Sequence, residues 1–160
     1  MANAPTREPF RVRPFQAADR AVLLELASRL VIGLVPWRDP EGVLRTAQGW
    51  VRQAIEEIGP DRAVIVAESA SGGCVGFVDV CHNLNFSGEE QAYVGELVVA
   101  EAHEGQGIGR ALMEAAETWA RAHGLSLIVL HTGARNNRAI HFYKHLGYAE
   151  EDVELTKQLR

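Results

Sequence analysis

The feature that most constrains this chain is Glu104-Gly105-Gln106-Gly107-Ile108-Gly109-Arg110, three glycines in five positions just before an amphipathic stretch. Upstream, Gln91 to Val99 is rich in β-branched and aromatic side chains and reads as a central strand. Downstream, Ile108, Leu112, Ala115, Ala116 and Trp119 recur at helical spacing, and Gly124 closes the run. A strand, a glycine loop and a helix in that order let backbone N–H groups approach an anion at a helix N-terminus, whose dipole favours negative charge. The segment therefore reads either as a cradle for a pyrophosphate-bearing ligand or as a turn that simply enters a helix. Two nucleotide patterns fail here. A dinucleotide fingerprint needs glycine where Arg110 stands and an acid at the end of the next strand, where His131 and Thr132 stand. A nucleotide P-loop needs Gly-Lys followed by Ser or Thr, whereas Gly109 precedes Arg110 and Ala111.

The rest of the chain supplies partners for that unit. Arg11 to Phe15 reads as a strand, and Asp19 is placed to cap a helix carrying Val22, Leu23, Leu26, Ala27 and Leu30. Gly33, Pro36, Trp37 and Pro40 mark a loop, after which a second helix is expected over Glu41 to Ile58, stopped by Gly59 and Pro60. Ala63 to Glu68 and Cys74 to Cys81 form an antiparallel hairpin around a turn at Ser69 to Gly73. Ser126 to His131 is nearly continuous apolar sequence, as in a strand covered on both sides. Asn136 or Asn137 opens a last helix through Leu146, and Val153 to Leu159 suits a final strand. This order predicts an α/β fold of the mixed α+β kind, with helices on both faces of a mixed sheet. Without repeats or linker-like tracts, one domain is expected over residues 1–160, with residues 1–9 as a flexible tail.

Composition narrows the function classes. With 47% apolar and 23% charged residues, the chain resembles ordinary soluble globular proteins. Its longest apolar runs, such as Ala21 to Leu26 and Leu125 to Leu130, fall far short of the ~20 residues a membrane-spanning helix needs. No basic stretch followed by an apolar core marks the N-terminus as a secretory signal, so a cytoplasmic location is expected. The net charge of -5 gives no general attraction to nucleic acid or anionic membrane and suits a cationic partner. Cys74 and Cys81 sit seven apart in one expected strand, an odd separation that points them to opposite faces. Neither a disulfide nor a metal site is expected of them.

Two blocks carry a family resemblance. Gly95-Glu96-Leu97-Val98-Val99, followed by Glu104 to Arg110 with Ala111 and Leu112, resembles the acetyl-CoA-binding segment of the GNAT superfamily of N-acetyltransferases. That segment usually reads Arg or Gln, two residues, Gly, one residue, then Gly or Ala, and Gly107 and Gly109 match it. Asn136-Asn137-Arg138-Ala139-Ile140-His141-Phe142-Tyr143, through Leu146-Gly147-Tyr148, is similar to the family's following motif. Val12-Arg13-Pro14 and Asp19 are similar to its first strand and helix, so the resemblance covers nearly the whole chain. Two residues depart from the pattern. Glu104 stands where a basic residue or Gln is general, and Glu101 where Pro is common. An exposed acid beside a pyrophosphate would cost only about 1 kcal/mol at ~4 Å in water.

The resemblance implies a mostly antiparallel sheet of about six to seven strands, splayed in the middle, and acetyl-CoA as cosubstrate. It places Leu97, Val98 and Val99 along the pantetheine arm, with one of their N–H groups polarising the thioester. It places Glu104, Gly105, Gln106, Gly107, Ile108, Gly109, Arg110 and Ala111 at the pyrophosphate. Asn136 would bond the arm or cap the helix, and Asn137 would cap it otherwise. Tyr143 falls where the family often has a general acid for the departing thiolate, and Trp37 where it builds an acceptor pocket. An alkylamine resembles lysine, with a pKa of about 10.4, so the reaction needs a proton acceptor near neutral pH. Glu96 is the candidate base and also an acceptor-site residue, with His131 as its rival. Asp39, Glu41, Asp79, Glu89 and Glu90 could ring a cationic acceptor, although scattered acids are usually a solvated surface. The expected function is acetyl transfer to a small-molecule amine. Transfer to a protein N-terminus or lysine is the nearest alternative, and a non-catalytic acyl-CoA-binding module the alternative from another class. The family also implies a homodimer.

Overall fold

Alternating burial along residues 62–69 sets the architecture. Val64 and Val66 pack into one hydrophobic cluster, while Ala63, Ile65 and Ala67 pack into another, so this strand carries an apolar layer on each face. The computed structural model describes residues 8–159. The first seven positions of the expected tail lie outside the described residues. Five strands, β1 (Phe10–Pro14), β2 (Arg62–Ser69), β3 (Cys74–Leu84), β4 (Glu90–Val99) and β5 (Ile128–Leu130), lie side by side in chain order. All neighbours are antiparallel except β4 and β5, which run parallel.

Helices α1 (Arg20–Leu26) and α2 (Pro40–Glu56) cover one face through Leu23, Val51 and Ala54, which meet Val64, Val66 and Phe77. The other face takes α3 (Ile108–Ala122) and α4 (Asn137–His145), with Ile108, Leu112 and Met113 against Val78, Val80 and Val94. Leu23, Phe77 and Leu112 are almost wholly removed from water. Each such burial stabilises the fold by roughly 1.5 to 3 kcal/mol. The predicted fold class therefore holds, with corrections in its parts.

The sheet has five strands among the described residues, not six to seven. The expected final strand, Val153 to Leu159, has no regular structure, and Val153, Leu155 and Leu159 are 77%, 90% and 86% exposed. Alternation suits a strand only where an edge provides backbone partners, and none pairs with this segment. The strand expected over Ser126 to His131 shrinks to Ile128–Leu130, because its ladder with β4 covers only three residues. The faces expected for the two cysteines were also wrong. A register shift between Ala67 and Glu68 gives β3 one extra residue after Cys74, which restores the phase. Cys74 consequently joins the cluster of Phe77, whose alternation continues through Asp79 to Cys81. Roughly 20 Å of strand still separates the thiols, and both are free.

Asp19 precedes α1 as expected but makes no side-chain cap to it. Its carboxylate turns back to accept from the Gln16 N–H at 2.8 Å and from both terminal nitrogens of Arg13 at 2.7 and 2.8 Å. The hydrogen bonds from Arg13 lead in holding the Asp19 carboxyl below its ordinary range. A depressed folded pKa means that this stabilisation is complete above the unfolded value of about 3.9 and is lost as pH falls through the folded value. Asp19→Ala is expected to cost about 1.5 to 3 kcal/mol at pH 7, because the half-buried Arg13 guanidinium loses two charged hydrogen bonds and keeps only the Glu68 carboxylate at 3.1 Å. Urea unfolding at pH 7 checks this, and the gap between variant and parent should narrow in strong acid.

Candidate active site

Parallel pairing of β4 with β5 ends at Val94 opposite Leu130, whereas β4 runs on to Val99 against β3 alone. From Gly95 onward the backbone of β4 thus has no ladder partner on the β5 side. A cleft opens there. Next to it, Val78 pairs with Leu97 and Val80 with Val94, so Gly95 and Glu96 together oppose the single residue Asp79. This bulge bends β4 and re-aims its side chains. A cavity of about 400 Å³ lies at the opening. Trp50 of α2 lines it from one side of the sheet and Tyr143 of α4 from the other, with Glu96 and Leu97 between them.

Glu96 makes no side-chain hydrogen bond among the described residues. Burial pushes its carboxyl up to about 8, and the nearby Asp79 charge adds to the effect. Burial raises Tyr143 to about 12, again with a contribution from Glu96, so its phenol stays protonated throughout the physiological range. Phe142 and Tyr148 contact the Tyr143 ring edge-on at 5.1 and 5.8 Å between centroids. His131 also lines the cavity, with Nδ1 at 3.3 Å from the Tyr93 hydroxyl. The structure therefore brings both base candidates to one space.

The glycine loop leads into α3. Gly105 and Gly107 have φ of +73° and +90°, a region that disfavours any side chain, and open space lies where a Cβ would project. Gly107 is the N-cap of α3 without a side-chain hydrogen bond, leaving the first N–H groups of a 15-residue helix available to an anion. Gly109 is bare for another reason: a Cβ there would lie 3.3 Å from Phe142 Cζ. Ile108 is buried in the core, and Ala111 N–H closes the first turn on the Gly107 carbonyl at 3.1 Å. Gln106 folds back toward the Ala102 carbonyl at 3.4 Å, while Arg110 extends toward Glu114 at 4.0 Å. Val98 and Val99 bury their side chains in the clusters on either face, while Leu97 lines the cavity.

Glu104 is not a lone charge beside this loop. Arg29 donates to its Oε1 at 2.6 Å, and Arg138 at the start of α4 donates to Oε2. These two guanidiniums offset the acid that departs from the usual pattern. Neither was singled out from the sequence, since they lie 75 and 34 residues away. Asn136 is the N-cap of α4, accepting from Ala139 N–H at 3.1 Å, and it also lines the cavity. Its amide nitrogen has no partner among the described residues. Asn137 is the first helical residue rather than the cap. Trp37 is 42% exposed and is absent from the cavity lining, where Trp50 supplies the indole. Of the five acids read as a possible ring, only Asp79 lines the cavity. Asp39 caps α2, Glu41 faces Arg45, Glu89 bonds Asn85 and Ser87, and Glu90 lies near His82.

Residues 31–148 match the family described as the acetyltransferase (GNAT) family. The chain belongs to the GNAT acetyltransferases. It is 38% identical over 85 residues to an uncharacterized N-acetyltransferase of Methanocaldococcus jannaschii, a match covering 52% of this chain and 38% of that protein. An aminoglycoside N(6')-acetyltransferase of Klebsiella aerogenes is 27% identical over 144 residues, covering 87% of this chain and 89% of the relative. The chain spans less than half the length of the first curated relatives it matches, at 38%, 46% and 45%. A solved aminoglycoside N-acetyltransferase in complex with CoA shares the fold, with a TM-score of 0.69 at 15% identity over 98% of this chain and 99% of that one. Among the described residues, no helix is long and apolar enough to cross a membrane.

The family's cosubstrate fits the uncapped N-terminus of α3 and the unpaired edge of β4. Gly107→Val would force a β-branched residue to φ near +90° and fill the space before the loop. We expect acetyl-CoA affinity to fall at least about tenfold by calorimetry, or about 1.4 kcal/mol. Gly109→Val should act differently, lowering thermal stability through its collision with Phe142.

Proposed function

We propose that this GNAT chain is an acetyl-CoA-dependent N-acetyltransferase that acetylates a small-molecule primary amine by direct attack. The observation that carries the reading is the placement of Glu96 and Tyr143 on one cavity at the β4–β5 opening. Glu96, with its carboxyl raised to about 8, suits acceptance of a proton from an amine of pKa about 10.4. An unpaired N–H of Leu97, Val98 or Val99 stabilises the negative charge that develops on the thioester oxygen. As nitrogen bonds to the acetyl carbon and the carbon–sulfur bond breaks, Tyr143 gives its proton to the sulfur. The phenolate then recovers a proton from solvent. The α3 N-terminus holds the pyrophosphate throughout.

Size and chemistry favour a small acceptor. The cavity volume of about 400 Å³ lies within the ~300 to 1,000 Å³ typical of small-molecule sites. The exposed face of Trp50 offers a stacking surface, and the lining adds the polar groups of Glu96, Tyr93 and His131 to fix a small polar acceptor. Relatives named for streptothricin, mycothiol and an aminoglycoside support the same class. The test is a competition between small amines and peptides carrying free N-termini or lysines, followed by thiol release from acetyl-CoA. Turnover of small amines is expected. Robust turnover of peptides with silence on every small amine would assign the chain to protein acetylation.

A further inference from the structure

Asp79 is the most buried acid of the site, at 2% exposed, and nothing in the reaction above uses it. Its Oδ1 accepts the Glu96 backbone N–H at 2.7 Å, and its Oδ2 accepts from Arg62 Nη1 at 2.9 Å. The bulge deprives the Glu96 N–H of a regular ladder bond, and the carboxylate replaces that bond from the neighbouring strand. The fit depends on Gly95, because a Cβ there would lie 2.6 and 2.7 Å from the two carboxylate oxygens. Arg62 is itself steadied by Glu57 at 3.3 Å. Four residues on three strands and the end of α2 thus converge on the backbone of one acid.

We propose that Asp79 is a positioning residue, whose carboxylate pins the Gly95–Glu96 bulge, aims Glu96 into the cavity and strengthens it as a base. The proposal rests on the reading of Glu96 as the proton acceptor. A neutral acceptor would satisfy the Glu96 N–H equally well, so the choice of a buried anion points to an electrical role. Asp79 adds its negative charge to the burial that already raises Glu96; burial raises Asp79 too, to about 6, with Arg62 opposing the rise, so Asp79 is charged where Glu96 titrates. The other groups around the pair are Tyr93 on β4, His131 after β5, Tyr143 on α4, Arg29 before α2 and Cys81 on β3.

The experiment titrates Glu96 directly in the free protein by NMR of labelled glutamate carboxyls, with its signal assigned by its loss in Glu96→Gln. The parent signal is expected to titrate near about 8. In Asp79→Asn, which retains an oxygen for the Glu96 N–H, the midpoint should fall well below that value. In the same variant the acid limb of kcat should move to lower pH, and kcat on the alkaline plateau should drop about tenfold, part of the ~10² to 10⁴ general base catalysis supplies. Acetyl-CoA affinity should be unchanged. Should the asparagine variant not fold, Asp79→Ser gives the same readout with a smaller neutral acceptor. A Glu96 midpoint equal to the parent's in the folded variant overturns the proposal. An acid limb that survives Glu96→Gln instead overturns the base assignment, while the NMR midpoint still decides the influence of Asp79.

Discussion

Tyr143→Phe lowers kcat by roughly 10² to 10⁴, with little change in KM for acetyl-CoA, if the phenol protonates the departing sulfur. The ring of Tyr143 packs between Phe142 and Tyr148, and phenylalanine preserves those contacts. Only the hydroxyl is lost, and no protein group among the described residues hydrogen-bonds to it. The substitution therefore leaves no buried partner unsatisfied, so a large loss of turnover would report chemistry rather than folding. A thioester with a more acidic thiol needs less protonation and should recover part of the loss. Near-normal kcat with acetyl-CoA would reduce Tyr143 to a packing role. Steady-state kinetics with both thioesters gives the answer.

Glu96→Gln is expected to lower turnover by a similar ~10² to 10⁴ and to remove an acid limb centred near the Glu96 value of about 8. The sign follows from the role. Below that value the carboxyl carries its proton and cannot accept another, so activity should rise with pH through it. Acetyl-CoA affinity should persist, because the pyrophosphate loop begins beyond the end of β4. Stability should move the other way. A folded carboxyl raised above its unfolded value binds more protons in the native state, so the parent loses stability as pH rises from about 4.3 through about 8. Glu96→Gln should therefore melt at a higher temperature than the parent at pH 9. An unchanged pH profile would move the base elsewhere, with His131 the next group to replace.

The strand, glycine loop and helix around Gly107 were legible in the sequence because each is a local pattern, as was the apolar stripe of α3. Glu96 and Tyr143 could be singled out because they stand inside recognisable motifs, and the structure brings both to one cavity. What escaped reading depends on register and distance. The bulge that sets Gly95 and Glu96 against Asp79 is a pairing of strands, and a lone glycine before an acid only hints at it. The Cys74 phase was missed for the same reason: one extra residue in β3 reverses the parity that alternation assumes. Arg29 and Arg138 meet Glu104 only after three distant segments converge. Conversely, Val153 to Leu159 has a strand's alternation without a strand's partner, so a local pattern suggested more order than pairing supplied.

Acetyl transfer at this cavity is measured by incubating the protein with acetyl-CoA and a panel of small amines. Free thiol and acetylated amine are followed together. Both are expected to form in equal amounts with at least one small amine, and combining Glu96→Gln with Tyr143→Phe should abolish both while acetyl-CoA still binds. Tight binding of acetyl-CoA by the parent protein, with no transfer to any amine or peptide, would contradict the transferase reading and leave an acyl-CoA-binding module in its place.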